Sequence, residues 1–232
     1  MVFAFIGDSI TEGVGSQKAY HQYLSEWLGF EALNYGVNGA QTDSMLDLAR
    51  RLRAEHRDVD AVFVLGGTND YNHGVPLGDF FTARYETVNH NGQEVVRLHR
   101  EYVLDGQCFC GRLNLLLREL KRGFPRAQIV LMTPLHRGYA EFSAENVQPD
   151  ELWANSQERF LEDYVAAVRR AAEIWGTPLI DLFRDAGLLP AFDEYAPYFH
   201  DAETDRLHPA ARGHERMARV IAAALTAIPA EV

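Results

Sequence analysis

The sequence predicts one α/β domain over residues 1–232, a three-layer α/β/α sandwich around a mostly parallel five-stranded sheet. Three observations carry that reading. Short apolar runs alternate with amphipathic helical patterns along the chain. The runs are continuously apolar rather than alternating, as in strands covered on both faces. At 232 residues the chain can bury such a core, and no Pro/Ser-rich linker, repeat or low-complexity stretch divides it.

The strand candidates are residues 2–6, 30–35, 61–65, 128–132 and 179–183. Between the first two, Tyr20, Tyr23, Leu24, Trp27 and Leu28 recur at helical spacing, with Gly29 as the stop. Thr42 is placed as the N-cap of a helix carrying Met45, Leu48, Ala49 and Leu52. A third helical pattern ends at Gly123, and a long one spans 152–176 with Phe160, Leu161, Tyr164, Val165, Val168 and Trp175 on one side. The last helix follows Pro209, which suits a first turn.

One segment breaks the rhythm. Residues 79–111 contain Asn91-Gly92 between two β-prone runs, a hairpin signal. Because this insertion follows the third strand, it is expected over the active edge. Its role is read as a lid or as a contact in a homo-oligomer, and the sequence leaves both open.

Composition removes several classes of function. With 22 basic against 33 acidic residues the formal charge is −11, which argues against nucleic acid as a partner. No apolar stretch reaches membrane-spanning length, so stable membrane insertion is not expected. Met1 leads straight into the first strand without a basic leader region, and the chain is read as cytoplasmic. Cys108 and Cys110 are too close in sequence for an ordinary bridge and are read as reduced thiols near a helix start.

In parallel α/β sheets chemistry gathers outside the carboxyl ends of the strands. The first strand delivers Ser9, the second Gly39, the third Asn69, and the fourth His136 and Arg137. A long loop after the fifth leads to Asp205 and His208. Acyl transfer needs a hydroxyl nucleophile, an imidazole to take its proton, a carboxylate on the other ring nitrogen, and donors for the oxyanion. Ser9, His208 and Asp205 fill the first three roles. The N–H groups of Ser9 and Gly39 and the side-chain amide of Asn69 fill the fourth. His136 and Arg137 are expected to contact substrate. Asp8 and Asp70 are read as structural hydrogen-bonders, His21 as solvated, and His214 as a surface or ordinarily bonded histidine.

The blocks GDSITEG, VNGAQT, GGTND and DRLHP resemble the four blocks of the SGNH hydrolase superfamily, the GDSL-type esterases and lipases. They follow that family's order and cover essentially the whole domain. GDS alone is an ordinary turn tripeptide, so the resemblance rests on all four blocks together. It implies a flavodoxin-like sandwich, with Ser9, Asp205 and His208 as the catalytic triad and Ser9, Gly39 and Asn69 as the oxyanion hole. The expected activity is hydrolysis of a small-molecule carboxylic ester without a cofactor or metal, with O-acetylated carbohydrate as the first substrate guess. Three rivals stand beside it: a lysophospholipase or acyl-thioesterase, a binding module with a dead site, and a metal-dependent hydrolase using His200, Asp201, Asp205 and His208.

Overall fold

A computed structural model describes residues 1–228. The first half of the chain runs β1 (Val2–Gly7), α1 (Ser9–Glu12), α2 (Tyr20–Leu28), β2 (Glu31–Gly36), α3 (Thr42–Glu55), β3 (Ala61–Leu65) and α4 (Thr68–Asn72). It continues through β4 (Phe81–His90), β5 (Gln93–Tyr102), α5 (Phe109–Gly123) and β6 (Gln128–Met132). Then come β7 (Ala140–Ser143), β8 (Asn146–Gln148), α6 (Leu161–Ile174), β9 (Leu179–Ile180) and α7 (Leu182–Asp185). A 3-10 turn, β10 (Phe199–Asp201), β11 (Asp205–Pro209) and α8 (Ala211–Leu225) complete the described chain.

The main sheet has the order β2-β1-β3-β6-β9 and is parallel throughout. Successive strand residues face opposite sides, which explains the unbroken apolar runs. Ala4, Ile6, Val62, Val64, Ile129 and Leu131 pack under α3, α5 and α6 with Met45, Leu116 and Val168. Phe5, Phe63, Leu65, Val130 and Met132 pack under α2 and α8 with Tyr20, Leu24 and Met217. Each fully buried Val, Leu, Ile, Phe or Met among them contributes roughly 1.5–3 kcal/mol of transfer free energy. Two cores on one sheet make the three layers.

Several local expectations give way to side-chain hydrogen bonds. The fifth strand closes after Ile180, because Asp181 becomes the N-cap of α7 and also accepts from Thr133 Oγ1 (3.1 Å) and Arg169 Nε (2.9 Å). The helix expected from 152 begins only at Leu161. Ahead of it, Asn155 Oδ1 accepts the backbone N–H groups of Gln157 and Arg159 and holds the chain in a turn. Gln41, not Thr42, caps α3, since Thr42 is occupied with Asp70. Pro209 ends β11, and α8 starts two residues later.

The insertion is the antiparallel ribbon β4–β5, turning at Asn91 and Gly92, whose φ values of 54° and 82° suit this tight hairpin. Its root packs on the α5–α6 layer: Asn114 Nδ2 donates to the carbonyls of Phe80 and Val103, both at 2.9 Å, and Tyr102 lies against Trp175. A different strand pair, β7–β8, adjoins the active edge. It joins β10 and β11 in a second sheet of order β10-β11-β7-β8. Cys108 is the N-cap of α5, and both thiols are free.

Candidate active site

The chain leaves β1 through Gly7 into a short helix. Asp8 is its N-cap, Oδ1 accepting from Ile10 N at 3.0 Å, and Ser9 becomes the first helical residue. The helix lies so tightly on β2 that a Cβ at Gly36 would collide with the backbone nitrogen of Glu12. Ser9 is thereby fixed at the carboxyl end of β1, with 5% of its surface exposed.

β11 reaches the same edge by pairing with β7, which follows the loop leaving β6. Gly138 N donates to the Arg206 carbonyl (3.0 Å), and Arg206 N to that of Tyr139 (2.9 Å). This stitching brings together residues 199 positions apart: His208 Nε2 lies 2.9 Å from Ser9 Oγ. On the other side of the ring, Nδ1 is 2.8 Å from Asp205 Oδ2. An ionised carboxylate only accepts, so Nδ1 carries the proton and Nε2 accepts from the serine hydroxyl.

Asp205 is itself held firmly. Its Oδ1 accepts the backbone N–H groups of Leu207 (3.1 Å) and His208 (3.0 Å). Burial pushes its carboxyl up, but these bonds and the His208 ring outweigh that and hold it below the usual carboxylate range. It stays ionised beside the imidazole.

Gly39 and Asn69 stand next to each other. Gly39 has φ = 74°, a conformation costly for any residue with a Cβ. The N–H groups of Ser9 and Gly39 donate to no acceptor among the described residues. Asn69 Nδ2 donates to the Ala40 carbonyl at 3.1 Å, which ties its amide to the Gly39 loop and leaves its second N–H for another acceptor.

Two further carboxylates lie underneath. Asp70 Oδ2 accepts from Thr42 N (3.0 Å) and Oγ1 (2.9 Å), and its Oδ1 from Arg112 Nη1 (2.9 Å). Burial nevertheless raises its pKa. Asp8 is pushed up to about 6 by burial, against the opposing pull of the Ile10 N–H and the nearby His208. Both act as the expected hydrogen-bonders, Asp8 from a helix cap rather than from a strand.

The structure ties His136 and Arg137 to neighbouring residues, while Nε and Nη1 of Arg137 stay buried without a hydrogen-bond partner among the described residues. His136 Nδ1 bonds Glu151 Oε1 at 2.6 Å, and its ring stacks on Phe183. Arg137 is buried, donating its backbone N–H to Glu151 (2.8 Å) and Nη2 to Gln148 (2.9 Å) over the Tyr71 ring. Neither bonds Ser9 or His208 among the described residues.

Sequence reasoning missed Phe142 of β7, whose ring centre lies 5.5 Å from that of His208 and which stays 44% exposed. His21 is buried, not solvated, and burial lowers its pKa to about 4. His214 is buried too, with Nδ1 accepting from Tyr20 N. The four residues weighed as metal ligands do not converge: His200 bonds the Gly15 carbonyl, Asp201 accepts backbone N–H groups, and Asp205 and His208 bind each other.

The sequence matches the profile of the GDSL-like Lipase/Acylhydrolase family over residues 5–216. No curated protein matches it at a significant level. Among solved structures, a protein from Lactobacillus plantarum is 28% identical, with 97% of this chain and 96% of that one covered and a TM-score of 0.75. A possible lipase from Chitinophaga pinensis is 22% identical, covering 97% and 98%, with a TM-score of 0.74. An acetyl xylan esterase from Geobacillus stearothermophilus shares the fold at 17% identity, covering 97% and 95%, with a TM-score of 0.57. On the family match, the chain belongs to the GDSL-like lipases and acylhydrolases and is a serine ester hydrolase.

Proposed function

We propose that the chain hydrolyses esters of short carboxylic acids, O-acetyl groups on carbohydrates first among them, through an acyl-enzyme on Ser9. The observation that carries this reading is the unbroken path Ser9 Oγ–His208–Asp205, with links of 2.9 and 2.8 Å. Ser9 Oγ attacks the ester carbonyl while its proton passes to His208 Nε2. Asp205 stabilises the imidazolium that forms. The tetrahedral oxyanion accepts from the N–H groups of Ser9 and Gly39 and from the free N–H of Asn69. Collapse expels the alcohol, which takes the proton from His208. Water then enters by the same route and frees the acid and Ser9.

The surroundings of the nucleophile support the acyl preference. Asp8, Asn69 and Asp70 are buried and polar, and Ser9 and His208 are 5% and 3% exposed. A long alkyl chain needs an apolar lining to gain its transfer energy of ~0.8 kcal/mol per methylene. An acetyl group needs only a small space. On the leaving-group side, the exposed ring of Phe142 beside His208 offers an apolar face to a sugar ring.

Rates on an acetyl-to-decanoyl aryl ester series, together with acetylated xylose, test the substrate class. Greatest activity at acetyl, with release of acetate from the sugar, is expected. A maximum at long chains would favour a lysophospholipase or thioesterase instead. Folded protein with no turnover on any ester would leave the binding-module reading.

A further inference from the structure

The geometry points to the β4–β5 ribbon as a surface on which two copies of this chain associate face to face. Side chains alternate across an antiparallel ribbon, and cross-strand partners share a face. On one face Ala83, Tyr85, Thr87 and Asn89 stand opposite Arg100, Leu98, Val96 and Glu94. Its centre is apolar and open to solvent, with Tyr85 75%, Val96 66% and Leu98 62% exposed. The other face carries the Val88–Val95 pair and a cluster of paired charges, with Arg97 outside those pairs. There Arg84 binds Glu86 and Glu101, and His99 Nδ1 lies 3.0 Å from Glu86.

The open face is complementary to itself. A two-fold axis crossing the ribbon at the level of Glu86 and Arg97 lays Tyr85 and Leu98 of one copy over Thr87 and Val96 of the other. The same operation sets Arg100 over Glu94 of the second copy, and does so twice. Neither Arg100 nor Glu94 has an ion-pair partner among the described residues, and Arg100 rests over the Phe81 ring on this face. One symmetric contact therefore covers the apolar centre and pairs the charges at both ends.

The size suffices for a specific but modest association. Strands of ten residues make a ribbon ~34 Å long and ~10 Å wide. Two such faces in contact bury on the order of 1,000 Å2 in total, the lower end of specific interfaces. A lone two-stranded ribbon is also marginal in water without a partner for its apolar face.

Sedimentation equilibrium of the full chain between ~1 and ~100 μM tests this, since a modest interface dissociates in the micromolar range. The mean mass should rise from near that of one chain toward that of two across the series. Arg100→Glu or Glu94→Arg alone should weaken association at least tenfold, and the two together should restore it, because the complement is then reversed rather than lost. Leu98→Lys should leave a monomer. Hydrolysis of a simple aryl ester should be unchanged in every variant, showing that the fold is kept. A wild-type chain that remains monomeric at ~100 μM, a dimer that survives Leu98→Lys, or a double exchange that does not recover association would overturn the proposal.

Discussion

Replacing Asp8 by asparagine should stabilise the protein at neutral pH and leave it nearly unchanged in acid. In the fold, burial lifts this carboxyl from 3.8 to about 6. Well below pH 3.8 the group holds its proton in both the folded and the unfolded chain, and burial carries no ionic penalty. As the pH rises from 3.8 toward 6, the unfolded chain ionises first, so stability falls. Above about 6 both states are ionised and the loss is complete. A shift of about two units corresponds to a cost on the order of 3 kcal/mol. Asparagine is neutral at every pH, and its side-chain oxygen can still accept from Ile10 N, so the helix cap survives.

Urea unfolding of both proteins between about pH 4 and pH 8 reads this directly, since titrating groups remote from Asp8 cancel in the difference. The gap should open in favour of Asp8→Asn as the pH rises and level off near neutrality. A gap that stays constant, or that opens in favour of aspartate, would refute the argument.

The remaining predictions concern the oxyanion donors and the buried carboxylate beneath them. Asn69→Ala should lower kcat by about two to three powers of ten with little change in fold, measured on an acetyl ester with circular dichroism as the control. Arg112→Met should destabilise by roughly 3 kcal/mol, because Asp70 would lose the guanidinium at 2.9 Å and stay buried. Adding Asp70→Asn should recover part of that loss in the same unfolding assay.

Where burial alone decides, the sequence can be read closely. β3 and β6 fall on the expected residues because every position but the half-buried Gln128 is apolar and buried. The candidate site was legible for a related reason: Ser9, Asn69 and the Asp205–His208 pair sit in short blocks at or near strand ends. Single polar side chains were not legible. Asp181 interrupts an apolar run to cap α7, and Asn155 turns a helical-looking stretch into a loop by taking two backbone N–H groups. Phe142 left almost no trace, since its place beside His208 depends on β7 pairing with β11 sixty-five residues later (140 with 205). His21 was misjudged because helical spacing did not reveal that it packs against Phe5 and Tyr20. The ribbon was visible from Asn91-Gly92, but its placement depends on Asn114 and Trp175, which no local pattern announces.

The account depends most on Ser9 being an activated nucleophile and not a turn residue. Incubating the folded chain with a fluorophosphonate and mapping the adduct by peptide mass spectrometry tests this. One adduct per chain on the Ser9 peptide, lost in His208→Ala and after heat unfolding, is the expected result. An unlabelled Ser9 in folded protein, or labelling at another serine that is indifferent to His208, would contradict it.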